Sequence, residues 1–167
     1  IMQVSVTGDG QTGAGVFMFG GDAEVAIWER VWQAHRYSPA NLAYDVLIAP
    51  HHCSWHSLSW DSWSDYGESA VVSADARNAL SQTRPGAVVV SSSAAIVDDN
   101  NDPPCIRAKR EYEAIVAACN GEFRCVADTP VDEPLVMEIG RNGPKFVRVP
   151  VARAAAATTG VGSEALP

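Results

Sequence analysis

The spacing of apolar and polar residues predicts several β-strands along the chain. Residues 2–7 alternate as a half-buried strand does, and Gly8, Asp9 and Gly10 predict a turn into a partner strand at 14–19. Two short apolar runs, 46–49 and 87–90, predict strands buried on both faces. Further strands are predicted at 123–127, 135–139 and 145–149, the last two joined at Asn142-Gly143 as a hairpin.

Helical spacing alternates with these strands and predicts an α/β domain. Val25, Trp28, Val31 and Trp32 form an apolar stripe, which predicts a helix over 23–35. A short helix at 75–81, with Ser73 as its N-cap, and a longer one beginning at Pro104 are also predicted. Residues 151–167 are rich in Ala, Thr and Gly, so we expect a domain over 1–150 and a flexible tail over 151–167.

Polar side chains follow two of the predicted strands. The strand over 16–19 leads into Gly20-Gly21-Asp22, and the strand over 46–49 leads through Pro50 into His51 and His52. Carboxylate and neutral imidazole are frequent ligands of zinc, so Asp22 and a histidine that end neighbouring strands predict a shared metal site. Asp22 has an alternative role as the N-cap of the helix that follows it.

The segments FMFGGDAE and YDVLIAPHHCS together resemble the C-terminal half of metallo-β-lactamase-fold metallohydrolases. The closest branch is the nuclease-like domain of DNA-uptake channel (competence) proteins, and the resemblance covers about residues 5–149. It implies a layered αββα sandwich of which this chain is the C-terminal half. It also implies two bound ions, zinc or else manganese, with Asp22 as the bridging ligand, His51 as a terminal ligand and His52 as the alternate. The implied activity is metal-dependent hydrolysis, with a phosphodiester as the first substrate class and an ester, thioester or amide as the alternative.

Several features of that family are absent from the sequence. It contains no His-x-His-x-Asp-His run. The hypothesis that the chain is part of an enzyme therefore requires an N-terminal half of the domain, missing or present as a separate partner, that carries this run. Cys53 stands where the relatives have glycine, and Pro103 stands where they have a histidine. Cys53 is a further candidate ligand at the site.

The segment 54–66 is rich in serine and tryptophan. We expect its aromatic residues either to pack over the domain or to form a contact surface, and the latter would make the chain a non-catalytic binding module. Within it, His56 is an extra ligand or proton donor, or else an ordinary loop histidine. Asp98, Asp99 and Asp102 predict a solvated acidic loop.

The composition of the chain limits the classes of partner that we expect it to bind. The net charge is −8, which disfavours non-specific nucleic-acid binding and favours a small-molecule or nucleotide substrate. The four cysteines lack CxxC spacing, which favours reduced thiols in a cytoplasmic protein over a zinc ribbon, with a Cys119–Cys125 pair as an alternative. No apolar run reaches the ~20 residues of a membrane-spanning helix, so no membrane segment is expected.

Overall fold

A computed structural model describes residues 1–130 and 133–148 and confirms the α/β class. Five strands form one mixed sheet in chain order, and two more form a separate hairpin. The sheet strands are β1 (Met2–Gly8), β2 (Gln11–Phe19), β3 (Tyr44–Ile48), β4 (Thr83–Ser91) and β5 (Glu122–Cys125). The hairpin strands are β6 (Val136–Gly140) and β7 (Gly143–Val147).

Four α-helices connect these strands. They are α1 (Val25–His35), α2 (Trp63–Tyr66), α3 (Ala74–Leu80) and α4 (Ile106–Ala117). Ser73 caps α3 by accepting a hydrogen bond from the backbone N–H of Ala76, as predicted. The described helices include none that is both long enough and apolar enough to cross a bilayer.

The strands β2 to β5 run parallel to one another, whereas β1 pairs antiparallel with β2. Phe19 lies beside Ile48, and Ile48 lies beside Val90, so the carboxyl ends of β2, β3 and β4 meet at one edge of the sheet. In open α/β sheets this edge is where ligands bind.

The helices cover one face of the sheet. Successive parallel strands step in one direction across the sheet, and right-handed crossovers then place α1, α3 and α4 on the same side. The resulting core joins alternate strand residues to the inner faces of these helices, and it includes Met18, Leu47, Val89, Trp28, Leu80 and Tyr112.

The other face of the sheet is apolar and only partly covered. Phe17, Phe19, Ile48 and Val88 alternate with the core residues and therefore point to this side, and Met2 at its edge is 56% exposed. The β6–β7 hairpin crosses part of it. Pro144 Cγ lies 3.3 Å from the position of a Cβ added to Gly15, and the guanidinium of Arg124 stacks 4.1 Å from the Phe146 ring centre.

The alternative role of Asp22 as a helix N-cap was wrong. The helix after Asp22 begins at Val25, and Glu24 occupies its N-cap without a side-chain cap, so Asp22 does not cap α1. Beyond α4, Asn120 has a left-handed conformation at φ 57°. The next residue, Gly121, leaves no room for a side chain, because an added Cβ would lie 2.0 Å from the carbonyl oxygen of Ala87. The tail predicted at 151–167 lies outside the described residues.

Candidate functional site

The ends of β2 and β3 are in direct contact. The backbone N–H of His51 donates to the carbonyl oxygen of Gly21 over 2.8 Å. Gly20 is buried against Pro50, and an added Cβ would lie 2.7 Å from Pro50 Cγ. Only glycine permits this approach, so the sequence GGD brings the Asp22 backbone next to the His-His segment.

Asp22 lies on the exposed side of this junction. Ala23 N–H donates to Gly20 O over 3.3 Å and closes a turn that contains Gly21 and Asp22. The Asp22 side chain is exposed, and with Glu24 at the helix cap its carboxylate has no capping role. The carboxylate is therefore available to an external ligand.

The segment after Pro50 has an unusual backbone. His51, His52 and Cys53 have φ values of 45°, 55° and 69°, which is the left-handed region that non-glycine residues seldom occupy. Each such residue costs about 1–2 kcal/mol. Such strain collects at functional sites, where the surrounding structure holds it in place.

Hydrogen bonds from one neighbouring residue and one distant residue hold this strained segment. Ser54 N–H donates to His51 O over 3.0 Å, and Cys105 N–H donates to Cys53 O over 3.0 Å. The Cys53 side chain is fully buried in the core. Burial, and then the neighbouring Cys105 thiol, raise the pKa of Cys53 well above its ordinary value of 9.0. Cys53 is therefore a neutral core thiol, and we do not assign it as a metal ligand.

His52 has the hydrogen bond that is typical of a metal-binding histidine. Its Nδ1 lies 2.6 Å from the carbonyl oxygen of Ser92, just beyond β4. A carbonyl oxygen only accepts, so Nδ1 carries the proton and the lone pair of the neutral ring is at Nε2. Metal-bound histidines commonly donate their second ring nitrogen to a carbonyl or carboxylate in this way.

His51 presents a second unsatisfied nitrogen. Its Nδ1 is buried and has no hydrogen-bond partner among the described residues. A buried polar atom without a partner costs about 1–3 kcal/mol, so a cation at this nitrogen would be favoured. A carboxylate together with an imidazole is a donor set that suits zinc.

The described residues do not by themselves close a metal site. Among residues 1–130 and 133–148 there is no group of three or more His, Cys, Asp or Glu side chains arranged to hold an ion. Comparisons of the chain with protein-family models, with curated proteins and with solved structures found no match. The resemblance to metallo-β-lactamase-fold enzymes, and the metal roles of Asp22, His51 and His52, therefore stay predictions.

A cleft opens beside His52 at the carboxyl ends of β3, β4 and β5. It is lined by His52, Ser92, Ser93, Ala94, Pro103, Pro104 and Val126. Pro103 and Pro104 follow Asp102, which was predicted to lie in a solvated acidic loop. That prediction was wrong for Asp102, because its side chain is only 10% exposed and Oδ1 accepts the Trp55 N–H over 2.9 Å. The two partners are 47 residues apart in the chain, so no local pattern could reveal the contact.

The Trp-rich segment 54–66 has both buried and exposed aromatic residues. Trp55 and Trp63 are buried, and Trp63 Nε1 donates to Asp99 O over 3.1 Å. Trp60 is 66% exposed, and its Nε1 donates to Glu29 on α1 over 3.0 Å. The segment thus packs over the domain and also leaves an aromatic surface.

All four cysteines are free thiols, and Cys119 and Cys125 are not paired with each other.

Proposed function

We propose that the chain is one half of a metal-dependent hydrolase whose site lies at the carboxyl ends of β2 and β3. The observation that supports this most is the contact between the two strand ends, where His51 N–H donates to Gly21 O over 2.8 Å. This bond puts the carboxylate-bearing turn and the two imidazoles at one edge of the sheet. Asp22 together with one of the two histidines, His51 or His52, would hold zinc, with manganese as the alternative.

The chain's own residues would orient and hold the ion and leave its substrate side open. Ser92 O fixes the tautomer of His52 so that Nε2 is the ligand atom. The positive φ values of residues 51–53 place the two histidines in a left-handed turn directly after β3 and Pro50. When bound, zinc or manganese supplies Lewis-acid activation of the scissile group and of water.

The remaining ligands would come from a second half of the domain. The apolar sheet face opposite the helices supports this part of the proposal, since Phe17, Phe19, Ile48 and Val88 form a surface that a second sheet would bury. A sheet packed there, with its own helices outside, would complete the αββα sandwich expected from the resemblance.

A small phosphodiester is the substrate class that we propose. The net charge of −8 is unfavourable for a long nucleic acid, whose binding depends on many Lys and Arg contacts to phosphates. A nucleotide-sized diester needs only the metal site and the short cleft beside His52.

The test is hydrolysis by the full-length protein loaded with zinc, using a phosphodiester, a carboxylic ester and a thioester as substrates. Asp22→Asn and His52→Gln are expected to lower kcat/KM for the diester by at least about 100-fold, because each removes a ligand of the ion. Asp65→Asn and His35→Gln, which change the same residue types away from the strand ends, serve as matched controls. Unchanged diester hydrolysis in Asp22→Asn would contradict the proposal, and faster ester cleavage by the wild type would change its substrate class.

A non-catalytic binding module is the second candidate. It is favoured by the exposure of Trp60 and Tyr66, at 66% and 57%, because large exposed aromatic residues are enriched at contact surfaces. No diester hydrolysis by the zinc-loaded wild type, together with loss of a protein partner in Trp60→Ala, would support that function.

A further inference from the structure

A second pair of imidazole and carboxylate lies near the cleft, and the proposed metal site does not use it. Two hydrogen bonds hold segments 53–57 and 102–105 together, from Trp55 N–H to Asp102 Oδ1 and from Cys105 N–H to Cys53 O. As a result His56 Nε2 lies 3.9 Å from Asp102 Oδ2.

Asp102 is held in place but incompletely satisfied. Its side chain is nine-tenths buried, yet Oδ2 has no hydrogen-bond partner among the described residues. A buried acceptor without a partner is unfavourable, so a donor at this oxygen would be favoured. His56 is the imidazole next to it. Its side chain is 43% exposed, so a small ring rotation can close the remaining distance.

The pair adjoins the cleft along the chain. Asp102 immediately precedes Pro103 and Pro104, which line the cleft together with His52. The backbone of His56 is fixed by a hydrogen bond from its N–H to Ser54 Oγ over 3.1 Å, at the start of the short Trp55–Ser57 turn. Hydrogen bonds of this kind are often long in a free enzyme and shorten when substrate binds.

We propose that Asp102 is a positioning residue for His56, and that His56 donates a proton to the leaving-group oxygen during diester hydrolysis. This inference rests on the proposed function. Asp102 Oδ2 accepts the Nε2 proton, which leaves Nδ1 to face the substrate. Water attacks phosphorus, the bond from phosphorus to the leaving oxygen breaks, and that oxygen takes the proton from Nδ1 of the imidazolium. The proton released by the attacking water restores Nδ1 for the next turnover, so atoms and charge balance.

The first test compares two diesters with different leaving groups in the zinc-loaded full-length protein. A dinucleotide expels an alkoxide, which needs protonation, whereas a p-nitrophenyl nucleotide diester expels a stable phenolate. His56→Gln is expected to lower kcat/KM about 100-fold for the dinucleotide and less than about 3-fold for the p-nitrophenyl diester. Asp102→Asn should show the same selectivity to a smaller extent, and His35→Gln neither loss. Equal losses on both diesters in His56→Gln would overturn the inference.

The second test needs neither metal nor turnover. Ring ¹⁵N spectra of the metal-free protein should show neutral His56 as the Nε2–H tautomer, and Asp102→Asn should remove that preference. The Nδ1–H tautomer in the wild type would overturn the positioning role. Loss of hydrolysis in the wild type would instead count against the proposed function, and the tautomer result distinguishes the two failures.

Discussion

At the scale of single residues, the main feature of the candidate site is the left-handed backbone conformation of His51, His52 and Cys53. The sequence shows a His-His pair after a strand, but none of these residues is a glycine, so the sequence does not predict positive φ values there. The hydrogen bond from His52 to Ser92 spans 40 residues and is equally invisible to local patterns. The sequence therefore indicates candidate ligands, but it does not indicate the backbone conformation or the hydrogen bond that orient them.

Cys53 leads to a prediction about stability at alkaline pH. Its pKa is raised by burial, so above about pH 9 the unfolded chain loses a proton that the folded protein keeps. The stability linked to Cys53 is therefore fully present below pH 9 and is lost as pH rises towards the raised pKa, by up to about 1.4 kcal/mol per pH unit. Urea unfolding of Cys53→Ala from pH 7 to pH 11 should show a shallower decline than the wild type.

Tyr44→Phe is a control whose effect on stability should begin at a higher pH. Burial raises the pKa of Tyr44 above its ordinary value of 10.0, so this variant should lessen the decline only above pH 10. If the free energy of unfolding declines between pH 9 and pH 10 as steeply in Cys53→Ala as in the wild type, the assignment of this decline to Cys53 is contradicted.

At the scale of elements, the site depends on two strand ends that are held in register. Apolar alternation predicted β1 and helical spacing predicted α1, because each has one side against the core, whereas β3 and β4 were predicted from continuous apolar runs. The short helix α2 was not predicted. The glycines before Asp22 indicated a close backbone approach. Their partner, Pro50, was identifiable only once β2 and β3 were known to be parallel neighbours.

Gly20→Ala tests this arrangement. The new Cβ would lie 2.7 Å from Pro50 Cγ, so the strand ends must move apart. We expect a loss of about 1–3 kcal/mol in the free energy of unfolding and at least a tenfold loss in zinc affinity. Urea unfolding and zinc titration of the full-length protein measure both effects.

Gly67→Ala is the matched control for Gly20→Ala. Gly67 has φ +52° and no atom within 4 Å of an added Cβ, so its substitution costs backbone strain without displacing a neighbour. It should lower stability by about 1–2 kcal/mol and leave zinc affinity unchanged. Equal zinc affinities in Gly20→Ala and Gly67→Ala would show that the strand-end contact does not shape the site.

At the scale of the whole molecule, the two faces of the sheet are covered to different extents. The helical side contains one continuous core, whereas the opposite side is covered only in part by the β6–β7 hairpin. The resemblance predicted a sandwich with a second half, and the open apolar face is consistent with such a partner. The α/β class was predictable from periodicity, but the uneven covering of the two faces follows from the crossover direction and sheet order.

The proposed function requires that Asp22 share one cation with a histidine after β3. Zinc titration calorimetry of the full-length protein, with Asp22→Asn, His51→Gln, His52→Gln and the corresponding double variants, tests it most directly. We predict that Asp22→Asn lowers zinc affinity at least about 100-fold. We also predict that its effect is non-additive with one of the two histidine substitutions by more than about 1 kcal/mol. Zinc affinity within twofold of the wild type in Asp22→Asn would contradict the claim.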